Sequence, residues 1–95
     1  MKRETLAHMK TLMLLMAQYE ARAVIPVEQV CQDYFTHLTP ETFIRKCSAG
    51  TIGLPVIRLE PSQKSAKGVH LEDLANYIDQ QRLAAIKELG QLTRL

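Results

Sequence analysis

The sequence predicts a mainly helical α+β domain with a small β-hairpin, and three observations point to it. Apolar residues recur at three- and four-residue spacing over most of the chain. Residues 38–50 carry both a start signal and a stop signal for one short helix. Residues 54–71 switch to alternation on either side of a polar, lysine-containing loop. A chain of 95 residues is expected to form one domain over residues 1–95, too small for a multidomain enzyme or a large enclosed active site. An apolar fraction of 46% and a charged fraction of 23% are ordinary for a globular domain. With 5% aromatic residues and no Trp, the core must be mostly aliphatic. Two cysteines, Cys31 and Cys47, are too few for a disulfide-rich secreted scaffold.

Residues 5–20 are rich in Leu, Met, Ala and Gln, which favour helix. Leu6, Met9, Met13 and Met16 form one stripe, and Leu12, Leu15 and Tyr19 form another. A helix with a wide docking face is expected, with a strand over residues 12–19 as the rival. The Met stripe reads as core packing, and residues 1–10 as an N-terminal extension. Ala23-Val24-Ile25 is β-prone and stops at Pro26, which suits the first turn of a helix. Val27, Val30, Cys31, Tyr34 and Phe35 then keep helical spacing to about Phe35 or His37. Thr39 is the N-cap of the next helix, Pro40 its first residue, and Leu38 can staple to Phe43. Gly50 supplies the stop. This second helix, residues 40–49, buries Phe43, Ile44 and Cys47. Opposite lie Thr42, Arg45 and Ala49, flanked by Glu41, Lys46 and Ser48. Residues 54–60 read as a strand, 61–68 as a polar tip and 69–71 as the returning strand. Glu72 and Asp73 open a last helix, with Leu71, Leu74, Ala75 and Ile78 as its first buried stripe. Beyond Arg82 that helix outruns so small a domain, so residues 87–95 are expected to fray or to associate.

The net charge is +2, and its excess sits in the middle of the chain. Residues 36–68 hold Arg45, Lys46, Arg58, Lys64 and Lys67 against Glu41 and Glu60, while the flanking thirds nearly balance. A local basic zone on a near-neutral chain is the pattern of an anion-facing surface. The element order is helix, short connection, capped short helix, strand, basic loop, strand, helix. That is the order of a winged helix-turn-helix, with three or four helices and a small β-hairpin wing. In that arrangement the short helix enters the major groove of double-stranded DNA and the wing reaches the neighbouring backbone. The candidate DNA-binding residues are Thr42, Arg45, Lys46 and Ser48 on the helix, and Ser62, Gln63, Lys64, Ser65 and Lys67 on the wing. Lysines and hydroxyls bind phosphates, whereas Arg and Gln can pair with a base edge. Arg58 and His70 are further candidates. Arg58 suits an ion pair with Glu60 or Asp73 equally well, and His70 reads as an outward-facing strand residue.

Other chemistries find no matching pattern. Cys31, His37, Cys47 and His70 match no common zinc spacing, and both cysteines fall on buried helix faces. Residues 62–68 lack the leading Gly of a phosphate-binding loop. No Ser or Cys is tied to a His by a known motif. No metal, cofactor, small-molecule ligand or catalysis is therefore expected. Tyr34, Phe35 and Phe43 read as core. The longest apolar run, residues 12–17, is too short for a membrane span. Glu4, His8 and Lys10 interrupt any signal-peptide core, which leaves the cytoplasm as the expected compartment.

Longer motifs carry a resemblance. Leu-Leu-Met-Ala-Gln-Tyr (residues 14–19), Ala-Val-Ile-Pro-Val-Glu (23–28), Asp-Tyr-Phe (33–35) and Ser-Gln-Lys-Ser-Ala-Lys-Gly-Val-His-Leu (62–71) resemble the pyocin activator protein family, PrtN-like. Arg45-Lys46 with Ala49-Gly50, and Asp73-Leu74-Ala75 with Tyr77-Ile78-Asp79, do so too. The likeness covers roughly residues 12–86. More loosely, the layout resembles phage excisionases and AlpA-type regulators. The resemblance implies a bacterial, cytoplasmic transcription activator of phage-tail-like bacteriocin genes, induced when DNA damage removes its repressor. Its implied partner is double-stranded DNA with repeated promoter elements, with RNA polymerase as a further partner. A single small domain reads few base pairs, so a homodimer or a DNA-templated oligomer on repeated sites is expected. The family supplies no catalytic residues and no base-contact assignment. Two alternatives remain open from the residues: an excisionase-like architectural protein that bends DNA, and a protein-only interaction module using the basic face and the C-terminal helix.

Overall fold

Leu12, Leu15 and Tyr19 need a partner surface, and the chain supplies one by folding back on itself. The computed structural model describes residues 3–62 and 64–93, and the candidate Gln63 lies outside the described residues. Helix α1 (Arg3–Gln18) packs along α4 (Leu71–Thr93). Asp79 of α4 bonds to His8 and Thr11 of α1. At the other end the Leu71 N–H donates to the Ala23 carbonyl at 2.8 Å. The two helices therefore run antiparallel. Residues 12–18 are helix rather than strand, and Tyr19 opens the turn that follows.

Between these helices lie β1 (Val24–Pro26), α2 (Val27–Tyr34), α3 (Pro40–Ser48), β2 (Ile57–Arg58) and β3 (Lys67–His70). The fold is α+β, mainly α, and winged-helix-like. Its antiparallel sheet has the order β1-β3-β2. Val24 pairs with His70, Ile25 with Val69, and Pro26 with Gly68. On the other side Ile57 pairs with Gly68 and Arg58 with Lys67. Val24 and Ile25 of the β-prone segment, with Pro26, thus form a third strand. Gly68 is what lets β1 approach: a Cβ there would sit 2.5 Å from Val24 Cγ1 and 2.8 Å from the Ile25 carbonyl oxygen.

Several expected boundaries move. The strand expected over residues 54–60 contracts to Ile57–Arg58. Pro55 has no N–H for a ladder, and the chain bends into the tip after Arg58. The returning strand begins two residues early, at Lys67, because Lys67 and Gly68 complete the ladder with β2. It ends at His70, and Leu71 opens α4. Pro26 closes β1 with ψ 142° and occupies the N-cap of α2 rather than its first turn. As a strand-end residue with no N–H, it suits both roles.

One core unites the elements. Ile25, Val27, Val30, Phe43, Val69 and Leu74 are fully buried, and Leu15, Tyr19, Leu54 and Leu71 close the cluster. The Phe35 ring lies 4.9 Å from Phe43 and 5.9 Å from Tyr77. Tyr34, expected in the core, is instead exposed and donates its hydroxyl proton to Gln18 Oε1. The expected core role of the Met stripe is also overturned. Met9, Met13 and Met16 face solvent with Leu6, because the Leu12–Leu15–Tyr19 stripe has taken the core side.

Candidate nucleic-acid interface

Two local devices set the length and rotation of α3. At its start the Thr39 hydroxyl accepts from the Thr42 N–H at 3.2 Å, and Pro40 occupies the first turn. The Thr39 hydroxyl also donates to Thr42 Oγ1 at 2.9 Å. At its end Gly50 takes φ +79°. There the Thr51 N–H bonds the Lys46 carbonyl and the Gly50 N–H bonds the Cys47 carbonyl, the two bonds of a Schellman stop. With both ends set, Phe43 must point inward toward Phe35. Arg45 and Ser48 are left exposed, and Thr42 and Lys46 half-buried. The helix packs on α2. Arg45 and Lys46 fall in its last turn, where the helix dipole favours cations, so part of their placement serves the helix itself.

The wing is a separate projection. Arg58 and Lys67 stand directly opposite each other across the β2–β3 ladder, with Lys64 exposed at the tip of the same hairpin. Like charges in that relation repel. Yet among the described residues no acid pairs with Arg58, Lys64 or Lys67, nor with Arg45 or Lys46; the ion pair found there is His8–Asp79. The Glu60 and Asp73 partners considered for Arg58 are not used.

The hydroxyls of the tip shape it. Ser62 Oγ accepts from the Lys64 N–H at 3.2 Å. Ser65 Oγ lies 2.9 Å from the carbonyls of both Glu60 and Ser62, so its one proton is engaged. His70 does not face outward as a plain strand residue: it is half-buried, and its Nδ1 accepts from the Glu72 N–H at 3.0 Å. It caps α4, a role no sequence signal announced because His is not among the favoured N-cap residues. The structure thus groups Thr42, Arg45, Lys46 and Ser48 on α3, and Arg58, Lys64 and Lys67 on the hairpin. Both units lean on α2, α3 directly and the hairpin through β3.

The thiols offer little reactivity. Burial pushes the Cys47 thiol up to about 11, with Cys31 adding to the effect. Burial, then the charge of Glu28, raises Cys31 as well. Both stay protonated near neutral pH, unlike a nucleophile or a ready metal ligand.

The family model described as Pyocin activator protein PrtN matches residues 11–85. The chain belongs to the pyocin activator protein family. Membership makes it a regulator of pyocin genes, in a regulatory family rather than an enzyme family. In this pyocin activator the match takes in α3, the hairpin and α4 as far as residue 85. No curated protein and no solved structure matches the chain. Among the described residues, no helix is long and apolar enough to cross a membrane.

Proposed function

We propose that this pyocin activator is a sequence-specific, double-stranded DNA-binding transcription activator of pyocin-type genes, working in the bacterial cytoplasm. In this reading α3 enters the major groove. Arg45 reads a base edge, and Thr42, Lys46 and Ser48 border the backbone. The wing clamps phosphates with Lys64, Lys67 and Arg58, on a tip whose shape Ser62 and Ser65 maintain. Gln63 belongs to the same contact set, and His70 holds the wing base to α4. Repeated promoter elements are bound by a dimer or a DNA-templated oligomer, which then engages RNA polymerase.

The observation that carries the reading is the hairpin. Two cations oppose each other across a ladder, and neither is ion-paired to an acid among the described residues. A phosphate placed between them would turn a repulsion into two charge-assisted contacts. The outward polar face of α3 supplies the second support.

Fluorescence anisotropy with target and random duplexes at several salt concentrations tests it. Lys64→Ala/Lys67→Ala should weaken both duplexes alike and flatten the log–log salt slope by about two units. Arg45→Ala should weaken the target more than the random duplex. An unchanged slope removes the wing from the contact. Equal weakening by Arg45→Ala removes its base-reading role.

A further inference from the structure

Between α2 and the turn that enters α3 the surface opens into a groove of about 340 Å³, lined by Glu28, Cys31, Gln32, Thr36, Leu38 and Pro40. Buried Cys31 and half-buried Leu38 and Pro40 give it an apolar floor, and exposed Glu28, Gln32 and Thr36 give it a polar rim. Glu28 is the one charged residue in that lining. Its carboxylate has no hydrogen bond or ion pair among the described residues. It lies near enough to Cys31 for its charge to act on the thiol. The surrounding chain carries the same sign. Residues 23–44 hold Glu28, Asp33 and Glu41 and no Lys or Arg. Asp33 is engaged by the Tyr19 hydroxyl at 2.6 Å, which leaves Glu28 as the open acid at the groove.

We infer that this groove docks a lysine- or arginine-bearing segment of the RNA polymerase holoenzyme. The docking rests on the proposed activator role and gives it a polymerase contact. Lysine and arginine join an apolar stem to a cationic head, and the groove has a place for each part. The stem lies along Leu38, Pro40 and Cys31, and the head meets the Glu28 carboxylate, with Gln32 and Thr36 offering acceptors for its remaining N–H groups. A wholly apolar side chain would desolvate Glu28 without pairing it. An acidic segment would be repelled. Duplex DNA is repelled for the same reason, so the groove stays outside the contact made by Arg45, Lys46 and the wing. It therefore remains open to a protein while the duplex is held. The sign change along the chain, acids over residues 23–44 and mostly cations over residues 45–67, separates the two tasks.

Biolayer interferometry of purified bacterial RNA polymerase holoenzyme over the immobilised full chain, without DNA, tests the docking. Duplex anisotropy on the same preparations reads the DNA contact separately. The wild type should bind holoenzyme, less tightly as salt rises. Glu28→Lys should lower that affinity about tenfold or more, because a like charge then meets the incoming cation. Gln32→Trp should lower it as well, by filling the groove mouth. Both variants should bind duplex no more weakly than the wild type, keep its circular dichroism, and lose activation in single-round transcription. Glu28 also favours the dipole of α2 from its first turn, so Gln32→Trp keeps the test open if Glu28→Lys loosens that helix. A benzophenone photocrosslinker placed at Thr36 should attach to a polymerase subunit. A wild type that binds no holoenzyme, holoenzyme affinity unchanged in both variants, or a crosslink to a second copy of this chain would each overturn the docking. A chain that binds holoenzyme but no duplex would sink the proposed DNA contact alone, and one that binds duplex but no holoenzyme would sink the docking alone.

Discussion

Gly68 illustrates how one residue decides an interface. Its missing Cβ is the space that β1 occupies, with the Ile25 carbonyl as part of the wall. Backbone cannot swing aside like a side-chain tip. Gly68→Ala is expected to cost about 1–3 kcal/mol in urea unfolding, with hydrogen-exchange protection lost first at Val24 and Ile25. Tyr19 sets a limit in pH. Its buried hydroxyl donates to Asp33 Oδ2 at 2.6 Å. Desolvation, then the Asp33 hydrogen bond and charge, raise it well above the ordinary tyrosine value. Cys47 is raised too, to about 11. Both groups stay neutral in the fold where the unfolded chain would ionise. Stability is therefore full below about pH 8.5 and falls as pH rises through the folded values. Urea midpoints at pH 8 and pH 10.5 should show the fall, and Tyr19→Phe should make it shallower. No pattern in the sequence pairs Tyr19 with Asp33, or Asp79 with His8 and Thr11, because those partners meet only after folding.

The elements differ in how much of them local sequence specifies. Helix α3 was legible from end to end, because Thr39, Pro40 and Gly50 act within a few residues of themselves. Thr39→Ala is expected to cost about 1 kcal/mol, read as a lowered thermal midpoint with α3 amides exchanging sooner. The hairpin was legible in kind but not in extent. Its central strand β3 takes its register from β1, which lies some forty residues earlier in the chain. Its other pairing, with β2, draws Lys67 out of the tip and sets it against Arg58. The Arg58–Lys67 repulsion leads to a further expectation. Arg58→Thr should leave the thermal midpoint unchanged or raise stability by up to about 0.5 kcal/mol. The same change should weaken duplex binding in anisotropy. A fall in both would mean that Arg58 serves the fold.

At the scale of the whole molecule, α1, the sheet, α2, α3 and the first turns of α4 share a single cluster. Unfolding should be one cooperative event. Leu74→Ala, at a fully buried position in α4, should cost about 2–5 kcal/mol while near- and far-ultraviolet dichroism still melt together. Separate transitions would show that the α1–α4 pair and the winged part fold independently. The sequence on its own settled whatever acts over a turn or two: the bounds of α3, the aliphatic core and the basic middle of the chain. Caps, spacing and composition are local, and their physics needs no partner. Tertiary structure decided which of two apolar stripes on α1 is buried, where the wing strands begin, that His70 caps a helix, and which cations face each other. Each of those outcomes is a competition between surfaces distant in the chain, and the winner is set by packing and register rather than by any residue's own preference.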